Sequence, residues 1–518
     1  MLSAFILLPV LGAILISLVP NTNPNQNRPR IIALLFGGVI LLWNVILGFQ
    51  FDPSQTAMQF TEYIPWISWL GFNYHLGLDG LSLPLLFLNS FLTLIAIYSS
   101  NVNIQRPRFY YALILLLSTG VAGAFLAQDL LLFFLFYELE IIPLYFLIAI
   151  WGGGRRTYAA MKFLIYTALS GILVLAAFLG LVWFSGASTF DYEPLREQVI
   201  PLGIQLWLLA ALLVGLLIKI PIFPFHTWLP DAHVEASTPV SVLLAGVLLK
   251  LGTYGLLRFG VGLFFEAWIT LAPWLATLAA ISALYGAFAA IAQQDMKKVV
   301  AYSSIAHMAY VLLAASASTP LALTAAMFQM ISHGLISALL FLLVGVVYKK
   351  TGTRDVNVLR GLLNPEKGLP IIGSLMILGV MASAGIPGMV GFIAEFLVFR
   401  AAFPIFPLQT LVCLVGTGLT AVYFLLMINK VFFGRLTESL SQLPQVDWGD
   451  RIPAIILALF IVILGLQPSW MVRWSETDAT ALVVSPSLLS QVAQAPDQAL
   501  SLGDELSMNV LPSRSGNN

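Results

Sequence analysis

The chain of 518 residues is poor in charge: only 9% of its residues are Asp, Glu, Lys or Arg. Soluble domains carry about a quarter, so most of this surface faces hydrocarbon. Acidic and basic residues balance at 24 each. No global basic field is available to attract nucleic acid or an anionic membrane surface. One cysteine, Cys413, is present. It cannot close an intrachain disulfide or supply the four thiolates of a typical iron–sulfur cluster. GxGxxG after a strand, GxxxxGK[ST] and HExxH are all missing, and with them the usual means of holding a nucleotide, a flavin or a catalytic zinc. The chain is therefore expected to bind no cofactor. If it serves a redox enzyme, the redox chemistry is on another chain.

What the sequence has is apolar length: 59% hydrophobic residues and mean hydropathy +0.93. A spanning helix needs about 20 mostly apolar residues. Fourteen segments qualify, near 2–20, 31–50, 79–99, 109–127, 129–149, 160–185, 204–222, 236–259, 270–293, 298–316, 320–348, 370–400, 407–433 and 452–470. They are continuous runs and not ten-residue alternations, which excludes a β-barrel. Residues 1–20 lack the positive start and cleavage motif of a signal peptide and read as a retained span. The expected fold is an all-α polytopic membrane protein. The loop 51–78 has no Lys or Arg but holds Phe60, Tyr63, Trp66, Trp69 and Phe72, as at a membrane interface. Residues 471–518 read as a polar tail.

Loop charges set orientation. With fourteen spans, Arg28, Arg30, Arg106, Arg108, Arg155, Arg156, Lys162, Lys297, Lys298, Lys349, Lys350, Arg354, Arg360, Lys367, Lys430, Arg435 and Arg451 share one side. Only Arg196, Arg258, Arg400, Arg473 and Arg514 take the other. The basic side is expected to be cytoplasmic, with both termini opposite.

Charge at the bilayer centre costs roughly 2.5–3.5 kcal/mol on insertion scales, so ionisable residues inside spans are functional candidates. Glu138 and Glu140 lie in FLFYELEIIPLYF, Lys219 in LLVGLLIKIPIFPFH with His226 at its end, and Lys250 in SVLLAGVLLKLGTYG. His307, His333 and Glu395 lie in later spans. A lone buried histidine is more often a satisfied core group, and a Lys–Glu pair can be a structural staple. Lys430, near a helix end, can simply snorkel, and Asp79 and Asp129 sit where helix N-caps sit. These ionisable groups across several spans are better explained together, by a proton relay, than as staples that each cost desolvation. A neighbouring carboxylate that moves can switch a buried lysine between charged and neutral forms, and histidine bridges the gaps. Metal ligation is less favoured, since no pair stands at i, i+4 with a third ligand nearby.

The seventh span is interrupted at Pro221 and Pro224, and the twelfth near Gly385, Pro387 and Gly388. Breaks five spans apart suggest two inverted five-helix repeats, 109–259 and 270–433, after an N-terminal segment 1–108 and before a last span 452–470. Paired interrupted spans mark transport sites in many carriers.

HTWLPDAHVEASTPVS (226–241), QQDMKKVVAYSSIAHMAYV (293–311) and GLDGLSLPLLFL (77–88) resemble the signature segments of antiporter-like subunits of respiratory complex I. FYELEIIPLYFLIAIWGG (136–153) is most similar to the subunit 4 branch, and the doubled carboxylate to its cyanobacterial and plastid form in the NDH-1 complex. The resemblance implies that Glu138 is the glutamate modulating Lys219. It also implies that His226, Lys250, His307 and His333 form a central polar axis, and that Glu395 is its terminal carboxylate. Glu140 has no counterpart in many bacterial relatives and, like Lys430, Asp79 and Asp129, is an accessory candidate. It implies a translocase subunit of a thylakoid NAD(P)H or ferredoxin:plastoquinone oxidoreductase, with neighbouring antiporter-like chains and lipids as partners. Flavin or iron–sulfur centres and the quinone site would lie on other subunits. The competing readings are an Mrp-type cation/proton antiporter subunit, the form of the complex devoted to inorganic carbon uptake, and a purely structural membrane arm.

Overall fold

The structure, a computed structural model, describes residues 1–20, 27–437, 440 and 443–483. Among these, twelve helices are long and apolar enough to cross a membrane. They are α2 (Arg28–Gln50), α3 (Ser82–Ser99), α4 (Pro107–Leu126), α5 (Leu130–Trp151), α6 (Arg156–Ser185), α7a (Leu202–Lys219), α8 (Thr238–Val261), α9 (Phe265–Ile291), α10 (Met296–Ala317), α11 (Pro320–Thr351), α13 (Pro407–Val431) and α14 (Trp448–Leu466). The shorter apolar α1 (Ala4–Leu18) and the two pieces of α12, Pro370–Ser383 and Val390–Ala402, complete the bundle. These segments match the expected spans, and the protein is an integral membrane protein.

The most apolar windows of α8 and α11 are wholly buried and that of α10 is 94% buried, whereas that of α2 is 28% buried. With no water in the bilayer to separate inside from outside, sequence hydropathy cannot rank helices this way; only packing does. The three shielded helices carry Lys250, His307 and His333. They sit where a charge is spared contact with lipid.

Three spans are interrupted. In α5, Pro143 has no N–H to offer the Leu139 carbonyl, and the helix is interrupted at Glu140. This break was not foreseen. In the seventh span, α7a stops at Lys219 and a second piece, α7b, runs Trp228–Glu235. Pro221 cannot serve Leu217, so Ile222 N–H bonds that carbonyl at 3.1 Å; the Trp228 indole takes the carbonyl of Ile218 at 2.8 Å. The twelfth span, expected to break near Gly385, Pro387 and Gly388, is two helices separated at 384–389, where Gly385 and Gly388 adopt φ of 69° and 90° that other residues rarely tolerate. In addition, α8 widens into π-type turns at Leu244–Leu248 and Leu256–Val261.

The segment 51–78, expected as an aromatic loop, is not irregular throughout. An antiparallel hairpin forms there, β1 (Gln59–Ile67) with β2 (Phe72–Leu78), pairing Tyr63 with His75 and Ile64 with Tyr74. Alternating Phe, Tyr and Ile suit a strand, but the run is too short to be read apart from an aromatic loop. Residues 469–483, within the expected polar tail, form a helix, α15 (Ser469–Val483), packed on α11. The remainder of that tail, with Arg514, lies outside the described residues. The Leu2 amide donates to Glu62 of β1 at 2.6 Å, and Asp478 of α15 accepts from Gly80 N–H just after β2 at 2.6 Å. Both ends of the described chain therefore meet the hairpin end of the bundle.

Two cations assigned to loops are corrected as well. Arg258 and Lys297 are 4% and 3% exposed. Arg258 pairs with Asp79. Burial works to raise the Asp79 carboxyl, but the Arg258 charge prevails and holds it below its ordinary value. Asp79 also caps α3 through Leu81 and Ser82 N–H at 3.2 and 2.9 Å. Asp129 caps α5 through Leu131 and Leu132 N–H at 2.9 and 3.0 Å.

Candidate functional site

The candidates fall into two groups, one at each broken helix. At the first, Lys219 is the last residue of α7a and has no exposed surface. Its ammonium bonds Glu140, which is equally sealed, and lies 4.0 Å from the centre of the Tyr137 ring. Tyr137 is fixed by Ser170 at 2.9 Å, which in turn donates to the Gly215 carbonyl at 2.7 Å.

The carboxylate expected against Lys219 was Glu138; the geometry gives that contact to Glu140. Glu138 faces α6 at Gly171, where an added Cβ would stand 1.9 Å from its Oε1. Neither Glu138 Oε1 nor Glu140 Oε2 bonds another protein atom. Lys219 is thus held by one carboxylate, with a second in the same helix and within electrostatic reach. His226 lies in the break after α7a, 3% exposed, with Nε2 3.0 Å from the Tyr285 hydroxyl.

The second group is a string. Lys250, fully buried, donates to the Ala245 carbonyl within the widened turn of α8 at 2.6 Å and contacts His333 Nδ1 at 2.8 Å. The His333 and His307 ring centres are 6.0 Å apart. His307 Nδ1 meets the Ser303 carbonyl at 2.8 Å. Its Nε2 stands 3.2 Å from the Ser383 carbonyl and 3.4 Å from Glu395 Oε1. Ser383 ends the first piece of α12, so the break presents to His307 a carbonyl that a continuous helix would have consumed. Ser303, Ser332, Ser383, His307, His333 and Glu395 share one small cavity. Glu395 Oε2 and His333 Nε2 point at no protein partner.

Lys250, His333, His307 and Glu395 therefore form one polar line through α8, α11, α10 and α12. Among the described residues no hydrogen bond links this line to Lys219, though Ile220 packs against Gly252 of α8, where an added Cβ would meet its Cγ1 at 2.8 Å. Lys430 is not part of it: the side chain is exposed and lies 3.4 Å from Asn357. Asp79 and Asp129 are caps at the hairpin end. Sequence reasoning missed His233, which is fully buried; the second histidine of HTWLPDAH was the available signal. It also missed the buried Lys297, which stands in the first turn of a span where sequence alone reads a loop charge.

Such a line can pass protons. Its members accept and donate in turn, and its gaps are of the size one water fills.

The transmembrane family described as NADH:quinone oxidoreductase/Mrp antiporter matches residues 127–420. The chain is 41% identical over 509 residues to NAD(P)H-quinone oxidoreductase chain 4 1 of Synechococcus sp. (strain JA-3-3Ab), covering 96% of this chain and 95% of that one. A chain of respiratory complex I from Thermus thermophilus with bound NADH superposes with TM-score 0.85 at 28% identity, over 93% of this chain and 99% of that one. A chain of the Mrp complex from Dietzia sp. DQ12-45-1b shares the fold, with TM-score 0.82 at 22% identity over 95% and 98%. The chain belongs to the NADH:quinone oxidoreductase/Mrp antiporter family, among the NAD(P)H-quinone oxidoreductase chain 4 proteins.

Proposed function

We propose that the chain is a proton-translocating membrane-arm subunit of an NDH-1-type NAD(P)H or ferredoxin:plastoquinone oxidoreductase. Quinone reduction on partner subunits would drive protons through its Glu/Lys/His line. The observation that carries this is the string Lys250–His333–His307–Glu395, whose first three members stand on α8, α11 and α10, the helices that packing shields most from lipid. Near-full-length likeness to a NAD(P)H-quinone oxidoreductase chain favours this reading over an Mrp-type antiporter, with which the likeness is one of fold.

In the mechanism, Glu140 holds the Lys219 ammonium. A change in the neighbouring subunit withdraws that carboxylate or exchanges it for Glu138. Deprived of its counter-charge, a buried ammonium favours release of its proton. The proton passes toward Lys250 and leaves by His333, His307 and Glu395, where the break in α12 supplies the Ser383 carbonyl. This chain contributes no redox centre; flavin or iron–sulfur groups and the quinone site belong to other chains. The basic loops face the cytoplasm, and the hairpin, α15 and both termini face the lumen of a thylakoid.

The test is proton pumping coupled to plastoquinone reduction in membranes carrying Lys219→Ala, with assembly of the complex measured in the same sample. Pumping is expected to collapse while the complex persists. Unchanged pumping and turnover would make Lys219 a staple and the chain a scaffold.

A further inference from the structure

A vestibule opens at the basic end of the bundle, and Arg30, Tyr98, Trp151, Lys297, Tyr348 and Arg354 are among the residues that line it. Most of its charges are neutralised in pairs: Lys349 with Asp450 at 2.9 Å and Arg354 with Asp295 at 3.2 Å. Lys297 differs. It is buried, and among the described residues it makes no ion pair. Its ammonium donates to the Ala236 carbonyl at 2.7 Å, the His233 carbonyl at 3.2 Å and Ser241 Oγ at 3.3 Å. Asp295 and Glu235 lie within electrostatic reach but do not touch it, and a buried ammonium with no carboxylate in contact is costly.

Behind it stands His233, fully buried, with its ring stacked on Phe341 at 4.3 Å and 7°. Neither ring nitrogen bonds a protein atom, a costly arrangement for a merely structural histidine. Lys297 and Lys250 both lie within electrostatic reach of that ring, and the ring within reach of His333.

We propose that Lys297 and His233 form a proton inlet that feeds Lys250 directly from the vestibule, beside the Glu140–Lys219 pair and as necessary to turnover as that pair. The inference rests on the proton-translocating reading above. Lys297 gives a proton by way of water to an unpartnered nitrogen of the His233 imidazole and becomes an amine. His233 passes its proton on toward Lys250. Water in the vestibule then reprotonates Lys297, so the sum is one proton moved from solution to the central line. The alternative is that Lys297 only caps the carbonyls at the end of α7b, where a cation is favoured by the helix dipole.

Arginine separates the two roles. It keeps the charge and the donors but does not release a proton in proteins. The experiment measures initial rates of proton uptake in inverted vesicles holding the assembled complex, for Lys297→Met, Lys297→Arg, His233→Phe and Lys219→Ala. His233→Phe keeps a ring against Phe341. In a Cys413→Ser background, Lys297→Cys is exposed to a membrane-impermeant thiol reagent from each side.

Loss of a positioned proton donor costs about 10²–10⁴-fold. A fall of about ten-fold or more is therefore expected for all three inlet variants, and labelling from the basic face alone. Full pumping in Lys297→Arg or His233→Phe, or a position 297 that resists labelling, overturns the inlet. If either lysine variant fails to assemble, His233→Phe decides: slowed pumping supports the inlet and full pumping overturns it. If Lys219→Ala abolishes pumping while the inlet variants do not, the inlet alone is wrong. If Lys219→Ala also pumps normally, the failure is that of the translocating function itself.

Discussion

Glu140→Gln is the substitution that most sharply tests the geometry around Lys219. Both members of the pair have no exposed surface, so neither charge can be rehydrated without local unfolding. Glutamine keeps the shape and leaves the Lys219 ammonium facing only the Tyr137 ring. Removing one partner of such a pair costs about 3–5 kcal/mol, whereas replacing both with uncharged groups of similar volume is often neutral. Glu140→Gln and Lys219→Met should therefore each lower the temperature at which the detergent-solubilised complex dissociates. The double variant should recover most of that loss, and the coupling between the two sites should exceed about 1 kcal/mol. Glu138→Gln should do much less to stability, because Glu138 Oε1 has no protein partner to lose. Proton pumping measured on the same samples should fall for Glu140→Gln as well. A silent Glu140→Gln, or a Glu138→Gln that couples to Lys219 as strongly, would refute the pairing and return the role to Glu138.

Gly171→Ala places a methyl 1.9 Å from Glu138 Oε1 in a helix that otherwise prefers alanine by about 1 kcal/mol. Pumping should drop while complex abundance holds, and normal pumping would show that the position of Glu138 is immaterial. The Asp478 carboxyl is pushed up to about 7, chiefly by burial and next by the Asp79 charge, against about 3.9 in an unfolded chain. A raised carboxyl favours the docked state when protonated. Its contribution is complete below about pH 4, fades as pH climbs to about 7 and is absent above. Protection from hydrogen exchange in residues 469–483, with the intrinsic pH dependence of exchange divided out, should accordingly fall between about pH 4 and about pH 7, and Asp478→Asn should flatten that dependence. Lys430→Ala, at an exposed helix end, should change stability by less than about 0.5 kcal/mol and leave pumping unaltered, as quinone-linked acidification would report.

Much of this molecule follows from one-dimensional physics. Spans are set by apolar length, the basic face by loop lysines and arginines, and the two large breaks by Pro221, Pro224 and the Gly385–Gly388 segment; each of these acts over a few residues. That Lys219, Lys250, His307, His333 and Glu395 would be buried followed from the cost of charge in hydrocarbon. Which carboxylate meets Lys219 was not legible. Glu138 and Glu140 are two residues apart and point to different faces of the helix, and the interruption at Glu140 sets which face α7a meets. Lys297 and Arg258 looked like loop charges because the ends of α10 and α8 cannot be fixed to within a turn from hydropathy. Only the packing of α7b over Lys297, and of Asp79 over Arg258, draws them inside. His233 gave no sign beyond its motif, since a histidine's partners are supplied by other helices. The chain alone determined which residues enter the membrane and where two of its helices fail; the tertiary structure decided which of those residues touch, because contact depends on helix rotation and neighbours that no local pattern encodes.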